Sequence, residues 1–307
     1  MFWYIIANPA AGNGAVQRKW PLIEQQLQAM GFSYTVQFTT HKGHATQLAE
    51  NAILRGQRYL LGIGGDGTNF EIINGIMQQN AVPSTDVHYA LLPVGTGNDW
   101  AFQYQITHDI TRRLTQLQQP EIRFQDVGRV DFTQFDGQPA TRYFANVAGM
   151  AYDGFVAQKM EQNGKPATKL AYLWAVGRYL MAYTLSKGRI VWDTHHHAED
   201  AFYTINVGIC KYSGGGMQLV PHAMPDDGLL ALTFARSMSK VEVLAQTFRF
   251  YNGTLLQHRQ VTGVQATTVE VHPDDPAVPI LLEADGEVLG YAPAVFSLLP
   301  SALKIVL

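Results

Sequence analysis

The sequence predicts a parallel α/β domain followed by a β-rich domain. Two observations carry the first half of that reading and one carries the second. An apolar run over residues 59–63 ends in the glycine-rich turn Gly64-Gly65-Asp66-Gly67, and Phe70, Ile73, Ile76 and Met77 follow at the spacing of one helix face. The same order of strand, turn and helix recurs on both sides of that stretch, which implies parallel strands joined by right-handed crossovers. Beyond about residue 127 the rhythm gives way to strand-like runs with few helices between them. A chain of 307 residues with 47% hydrophobic and 15% charged residues can fill two cores.

Taken in order, residues 1–7 read as the first strand. The run lacks a basic leader segment and ends quickly at Asn8-Pro9, so no signal peptide is expected. Residues 8–14 are dense in turn formers, after which Trp20, Ile23, Leu27 and Met30 recur at helical spacing and Gly31 is placed to end the helix. Phe32, Tyr34, Val36 and Phe38 alternate as a half-buried strand. A polar turn over residues 39–44 leads into a helix carrying Ala45, Leu48, Ala49, Ala52 and Ile53. Residues 88–92 form a fourth strand that runs into Pro93-Val94-Gly95-Thr96-Gly97-Asn98-Asp99. Both glycine turns therefore fall at the C-terminal edge of one sheet, where ligands of such sheets collect.

In the second half, strand-like runs occupy residues 143–147, 189–192, 201–209, 229–234, 261–271 and 279–283. Two helices interrupt them. One passes through Leu170, Leu173, Trp174, Gly177, Leu180 and Met181 and reads as core-facing; the other runs from 240 to about 251. Residues 302–307 suit a strand of either domain. The expected division is 1–127, completed by some part of 291–307, and 128–290.

Lys plus Arg number 22 against 25 for Asp plus Glu, with no block of like charge, which argues against nucleic acid as a partner. The single cysteine, Cys210, excludes an intrachain disulfide and fits a reducing compartment. No run approaches the roughly 20 apolar residues that span a bilayer, so a cytoplasmic protein with at most peripheral membrane contact is expected. Oligomeric state is not fixed by the sequence, and a homo-oligomer stays open.

The chemistry concentrates in the turns. Glycines before a helix let phosphate oxygens approach backbone N–H groups with no Cβ in the way. Asp66 inside such a turn would repel a polyphosphate unless a cation lay between them, and magnesium, which binds one or two carboxylates together with phosphate oxygens, resolves that conflict. Gly62, Gly64 and Gly67 also spell the dinucleotide-binding pattern. That pattern asks for an acidic residue at the end of the next strand, and Asp86 precedes its strand instead. Thr96, Asn98 and Asp99 add a hydroxyl, an amide and a carboxylate to the second turn. Asp226-Asp227-Gly228 and Glu283-Ala284-Asp285-Gly286-Glu287 read first as turns, although a carboxylate in the second of them can accept a proton from an alcohol. The run His195-His196-His197 cannot converge on one ion and reads as a solvated loop.

Gly64-Gly65-Asp66-Gly67-Thr68-Asn69, the Pro-x-Gly-Thr-x-Asn-Asp turn at residues 93–99, the opening Asn8-Pro9-Ala10-Ala11-Gly12, Asp227-Gly228 and Asp285-Gly286-Glu287 together resemble the diacylglycerol kinase catalytic-domain family of lipid kinases. The first of these motifs is shared with NAD kinases; the second turn and the late Asp-Gly-Glu favour a lipid kinase. The resemblance implies an NAD kinase/diacylglycerol kinase-like architecture, with an α/β nucleotide-binding domain and a β-sandwich, and transfer of the γ-phosphate of Mg-ATP to a lipid hydroxyl at a membrane surface. It implies nucleotide contacts from Thr39, Gly64, Gly65, Asp66, Gly67, Thr68, Asn69, Phe70 and Thr96, with Thr40 an equally adjacent hydroxyl. It further implies Asp285 as general base, and magnesium held by Asp227 with backbone oxygens of Met224 and Leu229, the acidic network being joined by Asp66, Asp99 and Asp126. Two other activities fit parts of the pattern, an NAD kinase-like phosphotransferase and a non-catalytic nucleotide or lipid sensor on the same fold.

Overall fold

The computed structural model describes residues 1–95, 97–164 and 169–307, without the side chains of Lys169, Leu170, Tyr172 and Leu173. Thr96 and the side chains of Leu170 and Leu173 thus lie outside the described residues. Contacts divide the chain into two units, Met1–Asp126 with Pro300–Leu307, and Val127–Leu299.

In the first unit β1 (Phe2–Ala7), α1 (Ala11–Ala29), β2 (Ser33–Phe38), α2 (His44–Leu54), β3 (Tyr59–Gly64), α3 (Asp66–Gln78), β4 (His88–Pro93), α4 (Asp99–Gln103) and α5 (Ile110–Gln118) follow one another. β5 (Ile122–Thr133) begins here and continues into the second unit. The strands pair in parallel in the order β2, β1, β3, β4. The end of the chain joins β4, also in parallel, with Lys304 opposite His88 and Ile305 opposite Tyr89. β3 and β4 are almost wholly buried, which is why they read as continuous apolar runs rather than alternating ones. Ile5, Leu61, Ile63 and Leu92 pack with Val16, Ile23 and Leu27 of α1 and with Leu114 and Leu117 of α5. The regular part of α1 starts only after Gly12, Asn13 and Gly14, whose φ values of 60°, 55° and 79° make the turn that the composition of residues 8–14 requires. Arg113 of α5 is a buried cation. Its guanidinium donates to Leu91 O at 2.9 Å and Val306 O at 2.7 Å, tying β4 to the last strand, and burial pulls its pKa down to about 10.

The second unit holds β6 (Pro139–Phe144), β7 (Val147–Ala151), α6 (Tyr152–Asn163), α7 (Lys169–Ala182), β8 (Ser186–Trp192), β9 (His196–Gly208), the short pair β10 (Tyr212–Ser213) and β11 (Met217–Gln218), β12 (Leu230–Arg236), α8 (Lys240–Ala245), α9 (Arg249–Asn252), β13 (Val261–Ala266), β14 (Thr268–Pro273), β15 (Leu281–Ala284) and β16 (Glu287–Val306), whose last residues return to the first unit. Pairing is antiparallel. It closes on itself in the order β9, β7, β15, β16, β14, β8 and back to β9, with β12 and then β13 added on β9. The long strand β9 makes this possible: residues 196–202 pair with β8 and residues 204–208 with β7. Such sharing of strands between two layers is the sandwich-like architecture expected of this half.

Several expectations are corrected in detail. The run 143–147 is two strands, because the backbone N–H groups of Ala145, Asn146 and Val147 turn out of the ladder to the Asp285 carboxylate. The run 261–271 is also two strands, broken where Asp193 Oδ1 accepts the N–H and hydroxyl of Thr267. The helix expected over 240–251 is interrupted between α8 and α9, while α4, α5, α6 and β5 are additions to the reading. The described side chains of α7 do not form a core face. Trp174 and Met181 face solvent, and only Leu180 of its apolar set is buried among the described side chains. His196 and His197 open β9 as exposed residues, with the His196 ring stacked on Trp192.

Candidate active site

In the first unit the described candidate residues, Asp126 on β5 apart, follow the C-terminal ends of parallel strands. β3 ends at Gly64, and α3 begins two residues later at Asp66, leaving its first N–H groups pointed outward at the helix N-terminus. The turn after β4 lies against it: Val94 N–H donates to Gly64 O at 2.7 Å, and Asn98 N–H donates to Asp66 Oδ2 at 2.7 Å. Asn98 adopts a left-handed φ of 55° to do so, and its Nδ2 donates back to Gly95 O at 2.9 Å. Its Oδ1 is buried and accepts no hydrogen bond from the described residues.

The absence of side chains permits this approach. A Cβ on Gly95 would lie 2.9 Å from Gly65 Cα and 2.7 Å from Asn98 Oδ1, and one on Gly64 would strike Thr68. A Cβ on Gly97 would lie 2.9 Å from Asp66 Oδ2 and 3.6 Å from Asp99 Oδ2, so two carboxylates converge beside one glycine. Gly12 of the first turn also comes close, its would-be Cβ 3.6 Å from Gly95 Cα.

The candidate side chains divide by direction. Thr68, Asn69 and Phe70 are buried: Thr68 Oγ1 accepts from Asn8 Nδ2 at 3.1 Å, and Asn69 Oδ1 accepts from Tyr89 Oη at 2.8 Å. Burial pushes the Tyr89 phenol far above its ordinary value, which keeps it a donor. Asn69 N–H is spent on Gly65 O within the helix, so the outward donors of α3 come from its first residues. Thr39 is buried at the end of β2 with its N–H on Ala7 O, whereas Thr40 is exposed. Asp99 opens α4, and Asp126 is buried on β5, where its Oδ1 accepts from Ser301 N–H at 2.6 Å. Glu71 belongs to the same framework without having been singled out by motif. From α3 it accepts the N–H groups of Gly43 and Ala45 at 2.7 and 3.0 Å and so fixes the turn that follows Thr39.

In the second unit Asp285 sits in the turn between β15 and β16 at a left-handed φ of 50°. Its carboxylate accepts three backbone N–H groups, from Ala145 and Asn146 at 3.0 Å and from Val147 at 3.1 Å, and its own N–H donates to Val147 O. Glu283 braces the same turn by accepting Gly286 N–H at 2.8 Å. Asn146 anchors the other side, donating to Tyr212 O and accepting from Ile209 and Cys210 N–H. The Cys210 thiol is raised well above its ordinary value by burial and, secondarily, by the Asp285 charge. Next to Glu283, a polar cluster links Asp153, Thr204 and Asn206; a Cβ on Gly149 would lie 2.5 Å from Glu283 Oε1 and 3.2 Å from Asn206 Oδ1. Desolvation pushes the Asp153 carboxyl up to about 6, against hydrogen bonds from Thr204 and Asn206 that pull it down. Asp153 and Asn206 carry no motif that spacing reveals; their meeting depends on β9 lying beside β7.

Met224, Asp227 and Leu229 share one turn before β12. Asp227 Oδ1 accepts Leu229 N–H at 3.0 Å, and Oδ2 accepts Gln265 Nε2 at 2.8 Å. Among the described residues no group of three or more His, Cys, Asp or Glu gathers as a metal cluster. A magnesium ion shared with a polyphosphate needs fewer protein ligands than that. Two converging carboxylates beside a glycine cradle and a helix N-terminus fit it.

A model described as the YegS C-terminal NAD kinase beta sandwich-like domain matches residues 146–307, more than half of the chain, and one described as the diacylglycerol kinase catalytic domain matches residues 3–130. The chain belongs to the diacylglycerol kinase catalytic-domain family of lipid kinases. Relatives of this lipid kinase include a diacylglycerol kinase of Mycobacterium tuberculosis, 25% identical over 98% of this chain and 93% of the relative, and one of Bacillus subtilis, 26% identical over 95% and 91%. The crystal structure of a diacylglycerol kinase from Bacillus anthracis superposes with a TM-score of 0.71, covering 99% of this chain and 95% of that one at 20% identity, a likeness of fold. The kinase is thus an α/β unit followed by a sandwich-like β unit. Among the described residues no helix of it is long and apolar enough to cross a membrane.

Proposed function

We infer that this kinase transfers the γ-phosphoryl group of Mg-ATP to the hydroxyl of diacylglycerol or a related lipid alcohol, working from the cytoplasm at a membrane surface. The reading rests on one observation above the others: two glycine turns are pressed together at the N-terminus of α3, with Asp66 accepting Asn98 N–H across them. Backbone donors of Gly64, Gly65, Asp66, Gly67 and Thr68 in that arrangement would receive phosphate oxygens, and Thr39 and Thr96 are the further nucleotide contacts we propose. Asn69 and Phe70 hold the helix start from inside. The first unit would act as the nucleotide domain and the second as the domain that brings the base and a metal ligand.

Magnesium, when bound, neutralises the charge that builds on the transferring phosphoryl group. Asp66 and Asp99 would hold it together with phosphate oxygens, and Asp227 with the carbonyl oxygens of Met224 and Leu229 would hold magnesium in the second unit. Asp285, kept in one orientation by its three N–H donors, would accept the proton of the lipid hydroxyl as that oxygen attacks phosphorus.

The test is transfer of labelled γ-phosphate into micellar diacylglycerol, phosphatidylglycerol, a polyprenol, sphingosine and ceramide, with NAD as soluble control. Label should appear in one lipid and disappear in Asp285→Asn, while that variant still binds ATP by calorimetry. Label on NAD would overturn the lipid assignment. ATP binding without label in any acceptor would overturn the kinase reading.

A further inference from the structure

We propose that the outer face of α7, α8 and α9 is the surface by which the protein docks on an anionic lipid bilayer, an inference that rests on the lipid kinase reading above for the reason a bilayer is needed. Large apolar side chains concentrate there. Trp174 and Met181 are 68% and 62% exposed on α7, two turns apart; Val241 on α8 is 76% exposed, and Leu244, Phe248 and Tyr251 follow it at spacings of three, seven and ten residues, all exposed. These six are a third of the eighteen exposed large hydrophobics among the described residues. Scattered exposed leucines need no explanation, but a contiguous stripe on neighbouring helices does.

The helices are neighbours. Lys240 Nζ donates to Met181 O at 2.7 Å, and a Cβ on Gly177 of α7 would touch Leu244 Cδ2 of α8 at 4.0 Å. The aromatic residues carry cations beside them: the Arg178 guanidinium lies over the Trp174 ring at 5.8 Å, and that of Arg249 over Phe248 at 5.4 Å. With Lys240 and Arg259 they give four cations, against the single carboxylate of Glu242, which is itself held by Arg259 and His258. The whole chain has the opposite balance, a net charge of −3. A local positive excess around an aromatic and aliphatic stripe complements an anionic headgroup layer over an acyl layer. The long cationic side chains reach back to phosphates while the rings sit at the boundary.

The experiment is sedimentation of the full chain with vesicles of phosphatidylcholine, with and without about a third of phosphatidylglycerol. We compare wild type with Trp174→Ser/Phe248→Ser and with Arg178→Glu/Arg259→Glu, all at exposed side chains. Wild type should prefer the anionic vesicles. The apolar pair should lose on the order of tenfold in partitioning to them, and the charge pair should lose the preference for phosphatidylglycerol and its dependence on salt. Phosphorylation of a short-chain lipid below its micellar concentration should be unchanged in both. Unaltered vesicle binding in both variants overturns the docking surface even if the lipid is phosphorylated. Altered binding with no lipid phosphorylated supports the surface and overturns the kinase reading. A wild-type dimer in sedimentation velocity that both variants convert to monomer, with vesicle binding unaltered, makes the face a contact between copies and overturns the proposal.

Discussion

Gly95 and Asp153 show how much of the site is decided by single groups. At Gly95 the next backbone is 2.9 Å from where a Cβ would stand, and backbone cannot rotate away as a side chain can. Gly95→Ala should therefore part the two glycine turns. Calorimetry should find ATP affinity reduced by about tenfold or more, with a stability loss of about 1–3 kcal/mol in urea unfolding; unchanged affinity would show that the contact of the turns is not needed for binding. Asp153 acts through its proton. Its folded pKa of about 6 lies above the ordinary 3.8, so between those values the native chain holds a proton that the unfolded chain has released. Stability contributed by this group is then present below about pH 4 and is lost as pH rises to about 6, a loss of at most about 3 kcal/mol. The stability difference between wild type and Asp153→Asn should move by that amount in favour of the variant between pH 4 and 7. A difference that does not change with pH would mean that Asp153 is not desolvated.

At the scale of elements, Arg113 is the fastening to test. It is the only partner described for Val306 O from a side chain, and it reaches Leu91 O on the neighbouring strand with the same guanidinium. Arg113→Met keeps the apolar stem and deletes both hydrogen bonds, which should cost about 3 kcal/mol and lower Tm by several degrees; a smaller loss than from a surface Arg such as Arg112→Met would refute the fastening. Elements were also where the sequence spoke most clearly. β3 and β4, buried on both faces, show as apolar runs, and the glycine turns after them show because the close approach at Gly64, Gly95 and Gly97 leaves no room for a Cβ. α6 was missed because Val156 and Met160 are its buried large residues and its outward side is mixed, which leaves little period to detect. The break at Ala145 and Asn146 was missed because its cause, Asp285, is far along the chain and no local signal announces that three N–H groups will leave a ladder. α7 misled for the opposite reason: apolar spacing marks one face of a helix but does not say whether protein or something else covers it.

Over the whole molecule, chain order and unit membership disagree, and this makes a strong prediction about fragments. Residues 1–126 contain the glycine turns and four of the parallel strands but not residues 300–307, which close the same unit. Leu303, Ile305 and Val306 are almost fully buried there. Leaving them out removes three buried apolar side chains at roughly 1.5–3 kcal/mol each and Val306 O, one of the two acceptors of the buried Arg113 guanidinium, against a typical total of about 5–15 kcal/mol for a domain. A fragment 1–126 should accordingly lack a cooperative urea transition and fail to bind ATP. The same fragment with residues 300–307 joined through a glycine-serine linker should regain both, because the linker restores the strand beside β4 without the second unit. Folding of 1–126 alone would show that the returning strand is an ornament of the sheet rather than a part of it. Restored folding without restored ATP binding would place part of the nucleotide site in the second unit.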